Sequence, residues 1–187
     1  MTQNQAHLVR KGRRSASRRG SEVIEFTLAF LPLIAMVFLL LDAAWGIFAK
    51  STLEYAVRAG VRQGITITGT QATAAGSNLT AMVKSIVQQN ALGLLTGDAG
   101  LSKIKVHYFL PPAPGSNDAL TDVSGQANGN SSLNIMQVTI EGYALPALVP
   151  RIYGWNQNAD LSATPVGAIA ADLIEPSRDL PTIGAAP

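Results

Sequence analysis

Residues 18–49 read RRGSEVIEFTLAFLPLIAMVFLLLDAAWGIFA, and the rest of the chain is best understood outward from them. From Phe26 to Ala49 there are 24 residues with a single charge, Asp42. As a helix rising about 1.5 Å per residue this run is about 36 Å long, enough to cross a hydrocarbon core of roughly 30 Å. Pro32 is expected to kink such a helix without ending it. Trp45, near the far end, suits an aromatic anchor at the membrane surface.

Charge on the two sides of this run is sharply unequal. Residues 1–20 hold Arg10, Lys11, Arg13, Arg14, Arg18 and Arg19 with no acid, a charge of +6, whereas the remaining eight basic and all twelve acidic groups give residues 21–187 a charge of −4. A basic end of this kind serves either nucleic acid or the cytoplasmic flank of a membrane span. The apolar helix directly downstream selects the lipid bilayer and argues against nucleic acid. By the positive-inside rule, residues 1–20 are then cytoplasmic and residues 50–187 lie outside the membrane. A secretory signal peptide is the competing reading, with Ala44-Trp45-Gly46 as a small-x-small cleavage site. The run is long for that purpose, and an acid so near its start is unusual.

That acid is Glu25, one residue before sixteen uncharged positions. Ionisable groups at the mouth of a span are costly and point to function. If the chain is cut between Gly20 and Ser21, Ser21 gains a free α-ammonium and Glu25 becomes the fifth residue of the helix. In a bundle of staggered helices the carboxylate of one pairs with the ammonium of its neighbour. Two desolvation costs become one paired contact, and register is fixed. Gly20 suits the scissile position because it leaves the backbone accessible.

Beyond the span the helix is expected to continue to residue 65, with Leu53, Ala56, Val57, Gly60, Val61 and Ile65 on one face. Residues 66–77 read as a hinge or loop. A second helix over 78–95 follows, capped by Ser77 or Asn78 and stopped by Gly-Asp-Ala-Gly at 97–100. Residues 103–110 and 133–143 alternate as strands that pair in a long-looped hairpin, with the second helix on their apolar face. Residues 111–131 read as a flexible loop. A last apolar segment near 161–174 can add an edge strand, because Pro165 excludes a central one. The expected organisation is therefore a leader over 1–20, a helix over 21–65 with its span at 26–49, a head over 66–175 and a tail over 176–187. The fold class is α+β: a long N-terminal transmembrane helix continuing into a small extracytoplasmic head, one helix packed on a short antiparallel sheet.

Chemistry is poorly represented. The chain has no cysteine and only two histidines, His7 and His107, neither with a motif neighbour. No metal-ligand spacing, phosphate-binding glycine loop or nucleophile elbow is present. The expectation is no catalytic residue, no metal and no cofactor. Tyr153 and Trp155 are candidates for packing or contact, as is the apolar segment Ala144–Pro150.

Arginines, Gly20, four residues, Glu25 and an apolar helix are similar to the cleavage signal of type IV prepilin-like proteins. The longer stretch from Gly20 to Gly64 resembles the TadE-like (tight adherence) minor pseudopilin family. The resemblance rests on Ile24-Glu25-Phe26, Pro32, Asp42, and the segment Val57-Arg58-Ala59-Gly60-Val61-Arg62 beyond the span. Ile24 for valine and Asp42 for glutamate are conservative departures, and Asp172-Leu173 leaves out the arginine the family often carries near its end. The resemblance implies processing after Gly20 by a prepilin peptidase at the inner membrane. It also implies partnership with a major Flp-type pilin, other minor pseudopilins and an inner-membrane assembly platform. The alternatives are a single-span anchored periplasmic binding or adaptor module, and a secreted enzyme. The N-terminus of the mature protein discriminates among the three.

Overall fold

The computed structural model describes residues 15–145, 164–176 and 179–184. The chain divides into two compact units, Met1–Ala43 and Ala44–Pro187. The α1 helix, Ser15–Gly64, is 50 residues long and contains Pro32.

Within the first unit, the described residues are all α1. Leucine, alanine, methionine and phenylalanine supply its helical propensity. Its side chains are exposed nearly all round: Val23, Ile24, Phe26, Leu28, Leu31, Leu39 and Leu40 are each well over half accessible. A helix apolar on nearly every face, and uncovered among the described residues, suits lipid or other helices rather than water.

The second unit is the α+β head. After the last turns of α1 come α2 (Gly69–Ala74), α3 (Leu79–Asn90) and α4 (Gly97–Leu101), then β1 (Ile104–Leu110), β2 (Thr121–Asp122), β3 (Ile135–Leu145) and β4 (Thr164–Leu173). The four strands form one antiparallel sheet in the order β2-β1-β3-β4. Alternation sets its two faces. Ile104, Val106 and Tyr108 on β1, with Met136, Val138 and Ile140 on β3, point into the core. Register places Val106 opposite Val138 and Tyr108 opposite Met136. Leu53, Ala56, Val57 and Val61 of α1 and Leu79, Val83 and Val87 of α3 complete the same cluster. The amphipathic stripe beyond the span is thus an integral wall of the head.

Space between α1 and α3 is set by two glycines. A Cβ on Gly60 would stand inside van der Waals contact with Val87 Cγ2, and one on Gly64 would lie 2.7 Å from Val83 Cγ2 and 2.9 Å from Met136 Sδ. Residues four apart share a helix face, so the pair forms a flat track on which α3 rests.

Several boundaries depart from the sequence reading. Residues 66–77, expected as a hinge or loop, contain α2, opened by a capping box between Thr68 and Gln71. The helix begins as expected, with Asn78 accepting from Ala81 N at 2.9 Å, but it ends at Asn90 instead of reaching 95. Leu92 and Gly93 take left-handed φ values of 49° and 81°, which turns Leu95 back into the core. The expected stop at 97–100 is the short α4. Alternation along residues 103–110 places Leu110 on the inner face with Ile104, Val106 and Tyr108, but Leu110, the last residue of β1, is 49 % exposed. Residues 111–131, expected as a flexible loop, include β2 and bury Val123, Ser124 and Asn130. Val123 fills apolar space, and the Val123 amide donates to Tyr108 O at 2.8 Å. Within the tail expected over 176–187, residues 179–184 pack on the head and Ile183 joins its core. β4 lies at the sheet edge, with Pro165 opposite Ala144. Tyr153, Trp155 and residues 146–150 lie outside the described residues.

Candidate processing and assembly segment

The residues singled out from the sequence fall in two groups along α1. The first runs from Gly20 through the apolar stretch. Arg13 and Arg14 lie outside the described residues. Arg18 and Arg19 are within α1, with nothing described of their side chains. Gly20 is exposed, and a Cβ built there would meet nothing within 4 Å. Packing therefore makes no demand for glycine at this position, although glycine inside a helix costs about 1 kcal/mol relative to alanine.

Ser21 and Glu25 are separated by one helical turn and share a face, as do Glu22 and Phe26. All four are exposed. Thr27 Oγ1 donates to Val23 O at 2.8 Å, so its hydroxyl is satisfied within the helix. Phe26 and Phe30 stack with ring centroids 5.4 Å apart and planes 15° apart. Pro32 sits inside the continuous helix. At the other end Asp42 is half-buried, while Trp45 stacks on Phe48 at 5.7 Å. Among the described residues one helix is long and apolar enough to cross a membrane, Gly20–Gly64, with a mean hydropathy of 2.5 over its most apolar window and none of that window buried.

The second group, Arg58, Ala59, Gly60 and Arg62, divides by face. Gly60 is buried against α3 and Ala59 is half-buried. Arg58 and Arg62 are exposed. Arg58 approaches Glu54 at 3.9 Å, and Lys50 approaches the same carboxylate at 4.0 Å. Exposed pairs of this kind contribute only tenths of a kcal/mol. Arg62, in the last turn, complements the negative end of the helix dipole. The motif thus combines a structural glycine with two outward cations.

One polar cluster in the head brings together a histidine, an acid and a serine. His107 Nδ1 lies 3.5 Å from Asp122 Oδ2, and Asp122 Oδ1 accepts from Ser124 Oγ at 2.5 Å and Ser124 N at 2.8 Å. The Ser124 hydroxyl, then its amide, hold the Asp122 carboxyl below the usual carboxylate range. In a hydrolase the histidine stands between serine and acid. Here the acid stands between, and Ser124 Oγ also accepts from Tyr108 N at 2.9 Å. The serine is therefore committed to the backbone of β1, and the arrangement ties β2 to β1 instead of activating a nucleophile. Among the described residues no group of three His, Cys, Asp or Glu is placed to hold a metal ion.

Sequence reasoning overlooked a second polar set in the head: Thr70, Thr80, Asn130 and residues 179–184. Thr68-x-x-Gln71, a capping-box spacing, was the available signal that this part of the chain is ordered.

Comparison with known proteins bears on the first group. No curated protein and no solved structure matches the chain. The family described as TadE-like protein matches residues 20–62. That match opens on Gly20, takes in Glu25, Pro32, Asp42 and Trp45, and closes on Arg62. Residues 20–62 are therefore similar to the TadE-like family, and the match covers that segment of the chain alone.

Proposed function

We propose that this chain is a minor pseudopilin of a Tad (Flp-type) pilus. In this reading residues 1–20 are a cytoplasmic leader, a prepilin peptidase cuts after Gly20, and the head lies in the periplasm. The processed helix then packs among the helices of a major pilin, sister minor pseudopilins or the assembly platform. The role is structural and catalyses no reaction.

The observation that carries this reading is the character of α1 between Val23 and Leu41. Its apolar side chains stand uncovered, and an exposed carboxylate, Glu25, sits among the first of them. A tether needs the apolar surface but not the acid, which adds an insertion cost of up to about 3 kcal/mol were it carried to mid-bilayer. A staggered bundle of processed helices uses both. The new ammonium at Ser21 of one copy neutralises Glu25 of the next, and the apolar faces meet each other or lipid. Gly20 supports the same reading, since it weakens the helix where a protease needs extended backbone and nothing in the packing calls for it.

Replacement of the carboxylate tests the mechanism. Glu25→Ala is expected to insert in the membrane at normal levels and to be missing from sheared fibres and from cross-linked assembly complexes. Assembly of that variant at wild-type levels would refute pairing at Glu25.

A further inference from the structure

Residues 179–184, Asp-Leu-Pro-Thr-Ile-Gly, lie across the head as a strap. Their side chains alternate: Pro181 and Ile183 are buried, whereas Leu180, Thr182 and Gly184 are exposed. That is the period of an extended peptide seated in a groove. The groove is lined by the starts of α2 and α3 and by the turn around Asn130. Leu79 N donates to Thr182 O at 2.8 Å, Thr80 N to Ile183 O at 3.1 Å, and Thr80 Oγ1 to Ile183 O at 2.5 Å. Asn130 Nδ2 donates to Pro181 O. Thr70 N and Oγ1 donate to Asp179 Oδ2 at 2.9 and 2.7 Å.

In each of these bonds the groove donates and the strap accepts. The first amides of any helix have no partner within it and must find one outside; for α3 the strap supplies it. A proline at 181 costs nothing in such a groove, because no strap amide is called on there. Specificity then comes from side chains. Position 179 needs an acceptor for Thr70, and position 183 an aliphatic group that reaches the core. Gly184 has a φ of +97°, and a Cβ there would collide with the Asn78 side chain that caps α3.

We propose that this groove is a peptide-acceptor site whose second occupant is the strap of another copy of this chain, so that neighbouring copies are joined by strap exchange. The occupant known to fit is this hexapeptide, and every copy carries it. Exchange restores each of the bonds above without a new contact, which is the low-cost character of swapped segments. The strap leaves the sheet through Glu175 and Pro176, both exposed. No disulfide holds it, for the chain has no cysteine. Release breaks six hydrogen bonds and exposes two side chains but breaks no pairing within the four-stranded sheet, so it is a local opening distinct from unfolding of the head. Where copies are held side by side, the neighbouring strap competes with the chain's own through its local concentration.

The test uses the full chain in detergent micelles. A variant ending at Pro176 has an empty groove, and its Leu79 and Thr80 amides should exchange with solvent at least about ten-fold faster. A synthetic peptide of residues 175–184, EPSRDLPTIG, should restore their protection, and the same peptide with Ile183→Asp should not. Should the shortened chain fail to fold, full-length Ile183→Asp serves as the acceptor. In the second arm a full-length copy with a photo-crosslinking residue at position 180 is mixed with a differently tagged acceptor copy. Cross-links to the acceptor near Gly69 and Thr70 are expected. Unprotected amides at millimolar peptide, or cross-links confined to the donor chain, would overturn the proposal.

Discussion

Gly60 and Val87 provide a quantitative test of how the head is packed. Gly60→Ala places a methyl where Val87 Cγ2 already sits. Overpacking of this kind costs about 1–3 kcal/mol, and replacing a helical glycine by alanine returns about 1 kcal/mol. The net loss should be about 1 kcal/mol. Val87 is fully buried, and Val87→Ala removes two methyl groups at about 0.8 kcal/mol each, with a cavity contribution that brings the loss to about 2–3 kcal/mol. Independent effects would make the double variant about 3–4 kcal/mol less stable than wild type. If α3 rests on Gly60, the new methyl at 60 occupies the space vacated at 87. Overpacking then disappears and part of the cavity is filled, so the double variant should lose only about 1 kcal/mol, a coupling of about 2 kcal/mol. Urea unfolding in micelles, followed by far-UV circular dichroism, measures all four corners of the cycle. Additivity to within about 0.5 kcal/mol would refute the contact.

Other expectations concern the groove, the core and the candidate processing site. The Tyr108 hydroxyl is buried without a well-formed hydrogen bond, and burial pushes its phenol up; Tyr108→Phe should leave urea stability unchanged or raise it by up to about 1 kcal/mol, and a loss larger than that would show a missed partner. The Thr70 hydroxyl, then its amide, hold the Asp179 carboxyl below the usual carboxylate range. A lowered folded pKa gives a contribution that is complete above the unfolded value of about 3.9 and lost as pH falls through the folded value. Exchange at Leu79 and Thr80, corrected for intrinsic rates, should therefore rise in that acid window, and Thr70→Val should move the rise to higher pH; an unchanged window would remove Asp179 from the strap's hold. Gly20→Arg should fold and insert but remain unprocessed on an immunoblot, because space is open at that position; normal processing would dismiss Gly20 as the recognised residue.

How much of this was legible in the sequence follows from which forces act locally. The span could be read because a run of uncharged residues from Phe26 to Leu41 admits few environments. The inner faces of β1 and β3 could be read from alternation except at Leu110, and the cap of α3 could be narrowed to Ser77 or Asn78 from their place before a helical pattern. Pro165 announced an edge strand, and β4 is one. Long-range satisfaction could not be read. Nothing local in Asp179 or Ile183 shows that they meet Thr70 and Thr80, more than a hundred residues away. The two-residue β2 is formed only because β1 offers Phe109 and Leu110 to pair with. Gly60 was noticed as an apolar-face residue and as part of a motif, but its contact with Val87 depends on a helix that the chain reaches only after α2. In the candidate assembly segment the residues from Arg18 to Arg62 were visible from spacing, since one helix carries them.

The central claim is that a carboxylate at the mouth of an apolar helix is neutralised by an amino terminus created at residue 21. Intact mass and N-terminal sequencing of the protein purified from its native membranes test this directly. The account predicts a chain beginning at Ser21. A chain that still begins at Met1, or one that begins near Ile47, would contradict it.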